Sequence, residues 1–239
     1  MSRSLVGIDL VIFDKDGTLI EFDAMWSGWA MDLAAALEGA TGKPIEASLF
    51  SMLGFDPATG RVLPGGELAA TPMARLRERT RELLVASGLI GRAADQALNQ
   101  AWHAPDPVEL ARPIIDLGAL LGRLRASGRR IAMATSDDRD PTERTLAALG
   151  VTNEIDAIVC ADDGLAVKPA PDMVLHLCEA LGVAPARTAV VGDAPADLLM
   201  GRRAGAGLVI GVLSGVGDAE HLSPAADLVL RSVADLQTD

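Results

Sequence analysis

Val11-Ile12-Phe13-Asp14-Lys15-Asp16-Gly17-Thr18-Leu19 ends an apolar run in two carboxylates one residue apart, followed by a glycine turn. A short apolar run closed in this way reads as a buried strand of a parallel sheet. Ligands of such sheets bind beyond the carboxyl ends of the strands. Asp14 is therefore expected at the mouth of a site and Asp16 just beyond it in the turn. Gly17 lets backbone amides approach an anion closely. The pair suits a nucleophile beside a magnesium ion with an acid/base neighbour; alone, the stretch equally fits an ordinary Asp-Gly turn.

Two later runs repeat the pattern, Ile131-Ala132-Met133-Ala134-Thr135-Ser136-Asp137 and Thr188-Ala189-Val190-Val191-Gly192-Asp193-Ala194-Pro195-Ala196-Asp197, each with polar residues at its carboxyl end. Between them, Lys168 stands before Pro169 at a Pro-rich helix start. Only Lys15, Lys43 and Lys168 are lysines among the 21 basic residues, so a lysine at 168 does not reflect composition. Its compact ammonium can donate in three directions to a carboxylate and a phosphoryl oxygen, whereas the guanidinium fork demands planar partners.

Strands and helices alternate after residue 113, the pattern of a doubly wound α/β sheet with a parallel core. Helices are expected over Asp116–Ala126, Pro141–Leu149, Pro171–Leu181 and Pro195–Ala204. For the second, Asp140 reads as N-cap, Pro141 as first helical residue and Glu143 as capping-box partner. Leu208–Val212 and Leu228–Leu230 read as edge strands, and the glycines from Gly211 to Gly217 as a tail loop with neither a dinucleotide fingerprint nor a P-loop.

With these motifs in order, the sequence resembles the haloacid dehalogenase-like superfamily, in its phosphatase branch with a helical cap inserted after the first motif. The resemblance is carried by Asp14-Lys15-Asp16-Gly17-Thr18, Thr135, Lys168-Pro169, and Gly192-Asp193 with Asp197 four residues on. It implies a Rossmann-like core with strand order 5-4-1-2-3 and a phosphoric monoester hydrolase. Asp14 is then the nucleophile carrying an aspartyl-phosphate, and Asp16 protonates the leaving oxygen and later deprotonates water. Mg2+ is held by the Asp14 carboxylate, the Asp16 carbonyl and Asp193, with Asp197 a ligand directly or through water. Thr135 and the Ser136 amide bind the phosphoryl group, while Lys168 offsets its charge and orients Asp14.

Aspartate rather than threonine at position 16 disfavours the transport ATPases, and the metal constellation disfavours true dehalogenases. The family's usual acidic-then-Ser continuation is Ile20-Glu21-Phe22-Asp23 here, and its Ser after Gly-Asp is Ala194. The substrate expected is a small phosphorylated metabolite; 2-phosphoglycolate is associated with the nearest-looking members. The rivals are a sugar-phosphate mutase on the same core and a binding protein without turnover.

Residues 1–22 and 108–239 are expected to form the catalytic core and 23–107 the cap, where helical spacing replaces the strand signal. Trp26, Trp29, Ala30, Leu33, Ala34 and Leu37 form one helical stripe. Packing inside the cap is favoured for the tryptophans over lining a substrate pocket. Arg75, Arg77, Arg79 and Arg81 read as a solvated face paired with Glu78 and Glu82. Gly60–Gly66 reads as a flexible turn and Ala104–Pro113 as the return linker. A net charge of −12 argues against nucleic acid as partner. No apolar run long enough to span a membrane and no leader pattern appear, which makes the cytoplasm the expected location. Cys160 and Cys178 are too few for a disulfide framework or zinc site and are expected reduced and buried; His103, His176 and His221 are too dispersed for a metal site.

Overall fold

In the computed structural model, which describes residues 5–103 and 105–237, the apolar run at 10–13 is the interior of a six-stranded sheet. The chain runs from β1 (Leu10–Phe13) into α1 (Phe22–Thr41), α2 (Glu46–Leu53), a hairpin of β2 (Phe55–Asp56) and β3 (Arg61–Val62), α3 (Glu67–Ala70), α4 (Met73–Ala86), α5 (Gly91–Ala101) and α6 (Pro107–Leu110). It returns through α7 (Leu117–Ala126), β4 (Arg130–Ala134), α8 (Arg139–Ala148), β5 (Ala157–Val159), α9 (Asp172–Leu181), β6 (Thr188–Gly192), α10 (Pro195–Ala204), β7 (Leu208–Val212), α11 (Ala219–Leu222) and β8 (Leu228–Leu230).

The strand order is β5-β4-β1-β6-β7-β8, every pairing parallel. Counting these strands alone, the order from β7 back to β5 is 5-4-1-2-3, as expected, and β8 adds a sixth at the edge. Leu208–Val212 is therefore not an edge strand: it lies between β6 and β8 with all five residues buried. Alternate side chains of β1 enter opposite layers. Leu10 and Ile12 pack with Met173, Val174 and Leu177 of α9, whereas Val11 and Phe13 join Leu117, Leu120, Leu121 and Leu124 of α7. This two-sided burial is why β1 reads as continuously apolar rather than alternating.

The expected helices form, with one correction. Helix α8 begins at Arg139, so Asp140 lies in its first turn instead of capping it, and Asp138 holds the N-cap position. Tertiary partners set this start: the Arg139 amide donates to Asp162 Oδ1 at 2.9 Å, and its guanidinium pairs with Asp163 at 2.6 Å and Glu143 at 2.9 Å. Pro141 is tolerated because the first-turn amides have no intrahelical acceptor.

The inserted helices pack around α1, whose predicted stripe is buried throughout. Trp26, Trp29 and Trp102 form an edge-to-face chain with ring centroids 5.8 and 5.3 Å apart, and Trp29 Nε1 donates to His103 O at 2.6 Å. On α4, Arg75 and Arg79 pair with Glu78 and Glu82 as expected, and Arg81 pairs with Asp95. Gly60–Gly66 is more ordered than a flexible turn. It contains β3, and its end crosses so close to α2 that a Cβ on Gly54 would lie 2.4 Å from Gly66 Cα. The two connections between insertion and core run side by side, Glu21 N donating to Arg112 O at 2.8 Å and Ile114 N to Leu19 O at 3.0 Å. Ala104 lies outside the described residues. No described helix is long and apolar enough to cross a membrane. Both cysteines are buried and unpaired, and the three histidines are exposed.

Candidate active site

Parallel pairing places the carboxyl ends of β1, β4 and β6 side by side, and the residues singled out from the sequence converge there. Asp14 leaves β1 with its amide donating to Val191 O at 2.9 Å. Lys168 Nζ lies 2.5 Å from Asp14 Oδ1 and 2.6 Å from Asp197 Oδ1. Asp14, Asp193 and Asp197 bring carboxylate oxygens within 4.8 Å of one another. Thr135, Ser136 and Asp16 join them around one open cleft.

The turns explain the glycines. Gly17 has φ +85°, and a Cβ there would lie 2.4 Å from Asp193 Oδ2. A Cβ on Gly192 would lie 2.2 Å from that of Asp197. Asp197 sits in the first turn of α10 and accepts from the Ala194 amide at 3.0 Å, so the usual serine at 194 is not needed to hold it. Asp193 accepts from Thr18 Oγ1 at 3.3 Å and from the Val216 amide at 2.8 Å. The Gly211–Gly217 segment is thus no mere tail loop. A Cβ on Gly215 would come within 1.9 Å of Asp193 Oδ2, and Ser214 Oγ donates to Gly17 O at 2.7 Å.

Lys15 escaped the sequence reading of the site. It is fully buried, with Nζ 3.0 Å from Asp16 Oδ2 and 2.8 Å from Asp137 Oδ2. The scarcity of lysine that singles out Lys168 applies equally to Lys15, and that was the available signal. Asp137 follows as its partner, and Asp137 N in turn donates to Thr135 Oγ1 at 3.1 Å. Phe22 and Trp26 of α1, Leu68 and Ala69 of α3, and Thr71 and Met73 at the start of α4 also line the cleft. Trp26 therefore both packs the cap and lines the cleft.

Five aspartates face two ammonium groups here, leaving three uncompensated negative charges if all are ionised. Burial raises the carboxyls of Asp16 and Asp193, the latter further through Asp14 and Asp197. Asp197 is pushed up to about 6 by burial, against the pull of Lys168. Burial alone would lower both lysines, but Asp16 and Asp137 hold Lys15, and Asp14 and Asp197 hold Lys168, above the usual range. Asp16 Oδ1 is buried without a hydrogen-bond partner among the described residues. An oxygen-only donor set with excess negative charge fits a small hard divalent cation.

The comparisons agree with this geometry. The family described as haloacid dehalogenase-like hydrolase matches residues 8–205. The phosphoglycolate phosphatase of Rhodospirillum rubrum is 29% identical over 216 residues, covering 84% of this chain and 78% of that protein. A Dickeya dadantii protein named Probable phosphatase IndB is 30% identical over 227 residues, covering 92% and 88%. The crystal structure of a hydrolase from Pseudomonas syringae superposes with a TM-score of 0.60 at 25% identity, covering 95% of this chain and 94% of that one. Three strand ends that gather these carboxylates around Lys168, within a parallel core interrupted by helices and matched across most of its length, lead to one conclusion: the chain belongs to the haloacid dehalogenase-like hydrolases and is an enzyme of that type.

Proposed function

We propose that the chain is a magnesium-dependent phosphomonoesterase acting on a small phosphorylated metabolite through an aspartyl-phosphate on Asp14, with residues 23–107 acting as the cap over a core of 1–22 and 108–239. The observation that carries this reading is the convergence of Asp14, Lys168, Asp193 and Asp197 beside Asp16 in one cleft. An Asp14 oxygen forms a bond to phosphorus as the bond to the leaving alkoxide breaks, and Asp16 delivers its proton to that oxygen. In the second half Asp16 takes a proton from water, whose oxygen displaces the Asp14 carboxylate and releases phosphate. The raised carboxyl of Asp16 suits the acid role. Lys168 holds Asp14 in position and offsets charge on the phosphoryl group, which Thr135 and the Ser136 amide also bind.

The cation's ligands are proposed to be Asp14, Asp193 and the Asp16 carbonyl, and when bound it offsets negative charge on the phosphoryl oxygens. Asp197, whose carboxylate lies with those of Asp14 and Asp193, is proposed to serve the cation directly or through water. Several relatives are named phosphoglycolate phosphatases, which makes 2-phosphoglycolate the first ester to try. Asp14→Asn is expected to cut para-nitrophenyl phosphate hydrolysis in magnesium by at least ~10³-fold; full activity in that variant would refute the nucleophile assignment.

A further inference from the structure

Resting on the phosphomonoesterase reading, we propose that the substrate's leaving group is an uncharged alcohol with an apolar or ring face, and that carboxylate-bearing esters such as 2-phosphoglycolate are poor substrates. The two walls of the cleft differ sharply in chemistry. The core wall carries Asp14, Asp16, Asp137, Asp193 and Asp197 around Lys168, whose ammonium is already held by Asp14 and Asp197. The rest of the lining includes Phe22, Trp26, Leu68, Ala69, Thr71 and Met73, which on the proposed reading meet the leaving group. Among the described lining residues it contributes no cation. Arg61, the basic residue of the hairpin, lies outside the lining and bonds Gly215 O at 3.4 Å with Asp23 at 3.8 Å. Arg75, two residues past Met73, pairs with Glu78.

A carboxylate on the leaving group would surrender its water against this apolar wall, opposite five aspartates, with no ammonium or guanidinium to receive it. A neutral alcohol has no such cost and gains from burying its carbon skeleton on Trp26 and Leu68. Trp26 is 7% exposed, and its Nε1 is buried without a hydrogen-bond partner among the described residues.

The test compares kcat/KM for phosphate release, with magnesium, from 2-phosphoglycolate, 2-hydroxyethyl phosphate and benzyl phosphate. The first two are nearly isosteric and differ chiefly in the carboxylate. Both esters of uncharged alcohols are expected to exceed 2-phosphoglycolate by about tenfold or more, with benzyl phosphate highest. Met73→Lys, which places an ammonium on the bare wall, is expected to raise the ratio of 2-phosphoglycolate to 2-hydroxyethyl phosphate by about tenfold. Equal or better turnover of 2-phosphoglycolate by the unaltered enzyme would overturn the inference while leaving the phosphatase reading intact. No release from these esters or from para-nitrophenyl phosphate would overturn both.

Discussion

Replacing Lys15 by methionine removes a fully buried ammonium 2.8 Å from Asp137 and 3.0 Å from Asp16, and leaves both carboxylates in place. Their side chains are only 8% and 12% exposed, so solvent screens the stranded charges little. Removing one partner of such a buried pair costs ~3–5 kcal/mol, which in a chain of this length lowers Tm by roughly 6–20 °C. Lys15 has its proton held more tightly in the folded state, against burial, by Asp16 and Asp137. Its contribution is therefore complete below the ordinary lysine value of 10.5 and fades only at more alkaline pH, so the deficit should be constant from neutral pH to mild alkalinity. Adding Asp137→Asn removes one stranded charge and should recover ~1–2 kcal/mol in a double-mutant cycle. The pairing also orients Asp16, so Lys15→Met should slow alkyl phosphates, whose alkoxide needs a proton, by ~10²-fold while slowing para-nitrophenyl phosphate far less. Thermal melts and parallel kinetics on the two ester classes measure both effects. A Tm within about 2 °C of the unaltered protein would refute the electrostatic reasoning, and equal slowing of the two ester classes would refute the positioning of Asp16.

Asp197 binds its proton more tightly when folded, so the stability it contributes is complete below 3.8 and is lost as pH rises to about 6. Its ionisation therefore withdraws stability at neutral pH, and Asp16 and Asp193 act in the same direction. Magnesium should therefore raise Tm strongly at pH 7.5 and weakly at pH 4.5, as melts with and without chelator would show; an equal increment at both would contradict the assigned ion site. Gly215→Ala forces a methyl to 1.9 Å from Asp193 Oδ2 and should weaken magnesium binding, read by titration calorimetry. The expected loss is ~10–100-fold, typical of disturbed supports of a metal ligand, and unchanged affinity would show that the Gly215 loop does not hold Asp193.

Much of the site was legible because its chemistry sits at fixed offsets from strand ends. Asp14 follows β1 directly, Thr135 follows β4 and Asp193 follows β6, so recognising three apolar runs was enough to line them up. Helices with strong signals were equally clear: Gly205 closes α10 with φ +75°, and the apolar stripe from Trp26 to Leu37 is the buried face of α1. Where local signals competed with distant partners, the local signal lost. The start of α8 followed Asp162 and Asp163 rather than the capping pattern at Asp140.

What the chain's linear order determined by itself is the class of fold and the candidate residues at the strand ends, because hydrophobic period and strand-end position are properties of neighbours in sequence. Only the tertiary structure decided which groups share a charge. The salt bridge of Lys15 to Asp137, the seat of Asp193 against Gly17 and Gly215, and the lining that Trp26 shares with Leu68 and Met73 each join residues far apart in the chain. Their interactions depend on separations of a few ångströms, which no local periodicity encodes.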